Sequence, residues 1–110
     1  MELMKRSSVM NQITEQQPQI EALCHQNQVA RLELFGSATG ERFDPATSDL
    51  DFLVEFAIDT PQGAADRFFD LKAGLSDLFG RTVDLVDFAT IQNPYFLEAI
   101  AASRLKIYGN

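Results

Sequence analysis

The chain has 110 residues, 45% hydrophobic and 23% charged, with a net charge of −7 at pH 7. That length and composition fit one globular domain over 1–110 with a modest core, and they exclude wholesale disorder. Sixteen acids against nine lysines and arginines leave no basic footprint for phosphates, so direct nucleic-acid binding is not expected, whereas a basic protein partner or a metal–nucleotide complex suits the charge.

Met1-Glu2-Leu3-Met4-Lys5-Arg6 lacks the apolar core of a secretion signal, and no apolar run approaches the ~20 residues of a membrane span. Residues 1–12 carry no strong pattern and read as a frayed or helical start. From Pro18 onward, Ile20, Leu23 and Cys24 share one face of a short helix that the polar stretch His25–Gln28 ends. Cys24 is the single cysteine, so no internal disulfide can form; it suits a reducing cytoplasm and reads as a small core hydrophobe. Val29–Phe35 is the first expected strand, with Leu32 and Leu34 alternating against Arg31, Glu33 and Phe35. Gly36-Ser37 stops it; a short helix is expected to begin over 38–40, and Arg42 to Thr47, with Asp44-Pro45, form a turn or loop.

The second strand is expected over Asp49–Phe56. Thr60 as cap and Pro61 in the first turn then suggest a helix start, with Phe68, Leu71, Leu75, Leu78 and Phe79 as its apolar stripe and Gly80 as its stop. Arg81–Phe88 reads as a third strand, Asn93-Pro94 starts a last helix, and Arg104–Tyr108 forms a short closing strand. The order implies an α/β (α+β) unit whose mixed sheet of three to four strands is flanked by helices.

Two stretches carry chemistry. On a strand, Asp49 and Asp51 point to the same face, roughly 6.5–7 Å apart, while Leu50, Phe52, Val54 and Phe56 point into a core. Adjacent acids repel, and bridging Mg²⁺ ions, which prefer hard oxygen ligands, resolve the repulsion. Two such metals are the apparatus of in-line phosphoryl or nucleotidyl transfer. Asp84, on an apolar strand, is the third candidate; its alternatives are an exposed strand end or a pair with Arg81. Asp87 is the rival acid, ranked below it. Gly36-Ser37 offers a backbone that a phosphate can approach closely, with a hydroxyl beside it.

Leu34-Phe35-Gly36-Ser37, followed by Ser48-Asp49-Leu50-Asp51-Phe52-Leu53-Val54, resembles the nucleotidyltransferase superfamily of the DNA polymerase β type. The short length points to its minimal nucleotidyltransferase (MNT) branch, usually encoded beside a HEPN-domain toxin. Thr82-Val83-Asp84-Leu85-Val86 and the stretch from Asn93 to Tyr108 extend the resemblance over nearly the whole chain. It implies that Gly36 and Ser37 hold the nucleotide triphosphate, that Asp49 and Asp51 bind two Mg²⁺ ions, and that Asp84 completes the metal site and helps activate the attacking hydroxyl. It further implies transfer of AMP from ATP to a tyrosine of a HEPN RNase toxin, which makes the protein an antitoxin. Many members follow Gly-Ser with a small residue, an arginine and a glycine. Here the order is Ala38-Thr39-Gly40-Glu41-Arg42, so Arg42 is the candidate to reach the phosphates, a solvated loop arginine being the alternative.

Two other readings compete with protein adenylylation. In one, the same fold neutralises its partner by forming a complex, without chemistry. In the other, a small molecule accepts the nucleotide, which the lack of a second domain to cradle that acceptor disfavours. The aromatic residues Phe68, Phe69, Tyr95 and Phe96 read mainly as core, with a partner or homodimer face as the other use of any excess.

Overall fold

The computed structural model describes residues 2–39 and 49–109, so Arg42 and the loop around it lie outside the described residues. Among the described residues, four helices and four strands follow in order: α1 (Glu2–Glu15), α2 (Gln17–Gln26), β1 (Val29–Phe35), β2 (Leu50–Phe56), α3 (Ala64–Phe79), β3 (Val83–Asp87), α4 (Pro94–Ile100) and β4 (Leu105–Gly109). Short 3₁₀ turns lie at Gly36–Thr39, Phe88–Thr90 and Ala101–Ser103. The strands form one mixed sheet in the order β3-β2-β1-β4, as expected. β2 and β3 run parallel, joined by α3, while β1 is antiparallel to both β2 and β4.

Alternation along β2, and along β1 after an irregularity between Val29 and Arg31, divides the apolar side chains between two faces. Leu32, Leu34, Leu50, Phe52, Val54, Val83 and Leu85 pack with Val9, Ile13, Ile20, Cys24, Leu71, Leu75 and Phe79 from α1, α2 and α3. Leu53 and Phe35 face the other way and meet Ile100, with Phe96 edge-on to Phe35 at 5.7 Å between ring centres. One face is thus sealed by three helices and the other partly by α4. Cys24 is fully buried, and that burial, with Glu21 nearby, pushes its thiol up to about 12, as befits a core residue rather than a reactive one.

The N-terminal stretch is a full helix because Val9 and Ile13, one turn apart, are buried in the main core. The first 3₁₀ turn begins at Gly36, two residues earlier than the short helix expected over 38–40. The start of α3 is a correction. Thr60 and Pro61 do not cap it; the helix begins at Ala64, after Gly63 at φ +73°. The carbonyls of Thr60 and Gln62 instead accept from the Arg67 guanidinium at 2.9 and 3.0 Å, which holds the preceding segment as a loop. Asn93 does cap α4, its side chain accepting from the Tyr95 amide at 2.9 Å. The aromatic residues expected mainly in the core are a correction: Phe69 and Tyr95 are 61% and 74% exposed and Phe68 and Phe96 only partly buried, because Phe35, Phe52 and Phe79 fill the interior instead.

Candidate active site

The site lies where β1 ends, β2 begins and β3 begins. Parallel pairing sets Asp51 beside Asp84, and antiparallel pairing sets Asp51 beside Phe35 on its other side. The next residue, Gly36, therefore folds directly against Asp51. Its φ is +77°, and a Cβ there would sit 2.6 Å from Asp51 Oδ2. Only glycine fits, both for its backbone angle and for the space. Ser37 follows in the same 3₁₀ turn.

Asp51 is half-buried, while Asp49 and Asp84 are exposed. Burial first, then the charge of Asp84, a side-chain hydrogen bond with Asp84 and the charge of Asp49 push the Asp51 carboxyl up from 3.8 to about 6. Asp51 is thus the carboxyl whose protonated form the site favours, through burial and the negative charges beside it. Asp49, just before β2, takes part through its charge rather than by contact. Among the described residues, no three His, Cys, Asp or Glu side chains are gathered closely enough to hold a metal ion as they stand. The donor set nonetheless fits a hard divalent cation: carboxylate oxygens only, with like charges around Asp51 that a cation would neutralise.

Asp87 does not belong to this group. It lies three residues along β3 from Asp84, about 10 Å at strand spacing, opposite Val54. Its side chain caps the following 3₁₀ turn, accepting from the Ala89 amide at 3.0 Å.

Two other groups at the site, Glu33 and Ser103, were not singled out from the sequence. Glu33, on the same sheet face, is buried at 7% exposure and is gripped by Arg104 at 2.6 and 3.2 Å, with Arg31 at 3.5 Å. Ser103 accepts from the Gly36 amide at 3.1 Å. The inward acid in a strand was the available signal for Glu33; its partner lies 71 residues away. For Ser103 there was none.

The chain as a whole is similar to known proteins. A model of the nucleotidyltransferase domain family matches residues 18–107. A protein of Methanocaldococcus jannaschii, "Putative protein adenylyltransferase MJ0128", is 44% identical over 73 residues, which make up 66% of this chain and 69% of that one. A structure described as a "putative minimal nucleotidyltransferase" superposes with a TM-score of 0.66 at 25% identity, over 84% of this chain and 89% of that one. A structure of the tri-AMPylated Shewanella oneidensis HEPN toxin in complex with MNT antitoxin matches at a TM-score of 0.55 and 17% identity, covering all of this chain and 74% of that one. The last supports the fold alone. Taken with the family match over most of its length, the chain belongs to the nucleotidyltransferase domain family and is a transferase by class.

Proposed function

We propose that the protein is a Mg²⁺-dependent minimal nucleotidyltransferase that moves AMP from ATP to a tyrosine hydroxyl of a HEPN-type toxin, and so acts as its antitoxin. The observation that carries this reading is the Asp51–Asp84 pair with the Gly36 backbone against it. Carboxylates and a phosphate-accessible backbone converge at one point on the sheet. The relative named as a protein adenylyltransferase and the AMPylated HEPN complex add support from similarity.

Asp49, Asp51 and Asp84 would hold Mg²⁺, which when bound supplies charge neutralisation and polarisation of the phosphates. The Gly36-Ser37 turn binds the triphosphate. The acceptor oxygen attacks the α-phosphorus as the bond to the β-phosphate oxygen breaks, pyrophosphate leaves, and Asp84 takes the hydroxyl proton. Arg42 is the further candidate to touch the phosphates. The acidic surface leaves the acceptor to be presented by a basic protein partner. Stoichiometric neutralisation without chemistry remains the second reading, favoured by the altered order Ala38-Thr39-Gly40-Glu41-Arg42 after Gly36-Ser37.

The test is intact-mass spectrometry of the HEPN-type protein encoded beside this gene, after incubation with the protein, ATP and Mg²⁺. Mass gains in AMP-sized steps, lost with Asp49→Asn/Asp51→Asn, are expected. A tight complex with no gain from either protein would overturn the transferase reading in favour of a binder.

A further inference from the structure

The Gly36 amide donates to Ser103 Oγ across 3.1 Å. Ser103 Oγ–H in turn donates to the Ile100 carbonyl at 3.0 Å, which leaves an oxygen lone pair free to accept from Gly36. Ile100 is anchored among Phe35 and Leu53 on the α4 face of the sheet. On the other side of Ser103, Arg104 grips the buried carboxylate of Glu33 with both Nε and Nη2. Ser103 is therefore fixed from both directions by groups that are themselves buried. The residue it holds is the one whose missing Cβ makes room for Asp51 Oδ2.

We propose that Ser103 is a positioning residue for nucleotide binding: through the Gly36 amide it holds the Gly36–Thr39 turn against Asp51, and the Glu33–Arg104 pair sets it in place. This rests on the reading of that turn as the triphosphate-binding element. Without the hydroxyl, the part-buried Gly36 amide loses its acceptor, and a glycine free of that hydrogen bond explores backbone angles that no longer aim the turn. The segment from α4 to β4 thus contributes to the site without touching the nucleotide.

The experiment measures affinity for a non-hydrolysable ATP analogue with Mg²⁺ by calorimetry on the full chain. Amide exchange at Gly36 is read by NMR in the same samples. S103A is expected to weaken binding about fivefold, the value of one hydrogen bond, and to speed Gly36 exchange by a similar factor. S103T keeps an acceptor oxygen and is expected to return both to within about twofold of wild type. Leu78→Ala loosens α3 on the opposite face of the sheet, away from Ser103 and Gly36, and should lower the melting temperature while leaving affinity unchanged. Faster exchange in S103A at unchanged affinity would overturn the proposal, as would Leu78→Ala weakening binding as much as S103A. A wild-type protein that binds no nucleotide would overturn the underlying reading instead, and would show before any variant is made.

Discussion

Two acids sit on the same face of the same sheet and live in opposite surroundings. Glu33, in the middle of β1, is buried and meets guanidinium groups, with Arg104 held in a two-pronged grip and Arg31 beside it. Asp51, on the neighbouring strand and closer to solvent, meets two further acids. The first arrangement stabilises the fold. The second costs stability in the free protein and is the mark of a site built for a ligand. Burial alone does not separate structural from functional acids; the sign of the neighbouring charge does.

The largest expected effect comes from breaking the structural acid. Glu33→Ala leaves Arg104 without its acceptor and opens a gap beneath the tail, and should destabilise the protein by about 3 kcal/mol in urea denaturation. A loss below about 0.5 kcal/mol would erase the contrast with Asp51.

The functional acid should respond the other way. Asp51→Asn relieves repulsion and should leave stability at pH 7 unchanged or higher. The pH dependence sharpens this. Asp51 has a folded value of about 6 against 3.8 for the free group, so the folded state binds its proton more tightly. Its contribution to stability is complete below about pH 4 and is lost as pH rises through 6. Thermal unfolding of the metal-free wild type should therefore occur at a higher temperature at pH 5 than at pH 7, relative to Asp51→Asn. Parallel pH profiles for the two proteins would mean that Asp51 is not the strained partner.

The smallest effect tests whether the third strand carries one special acid or two. Asp87→Ala removes a cap and should cost about 1 kcal/mol while leaving nucleotide transfer intact. Transfer lost to the same degree as in Asp84→Ala would place Asp87 in the site.

The elements readable in advance were those set by short-range periodicity. Val29–Phe35 was legible to the residue because Leu32 and Leu34 alternate cleanly against Arg31, Glu33 and Phe35. The pairing of Asp51 with Asp84 was legible as a shared face on two strands, though the burial that raises Asp51 was not. The start of α3 was misread because Arg67 reaches back to the carbonyls of Thr60 and Gln62, a side-chain contact that overrides the local cap signal. Ser103 and Arg104 were invisible for a related reason: their partners Gly36 and Glu33 are 67 and 71 residues distant, and no local pattern records such a contact.

β4 gives β1 its second neighbour, and with it an interior place in the sheet. During synthesis β1 is complete long before β4 leaves the ribosome. Until then β1 presents an unpaired backbone edge flanked by Leu32 and Leu34, the kind of edge that recruits other chains into aggregates. Closure by β4 removes that hazard, and the same event delivers Ser103 to Gly36. Incomplete chains would thus be prone to aggregate and also lack the contact that orders the turn beside the acids. Cover for that edge and a finished site arrive together, when β4 pairs with β1.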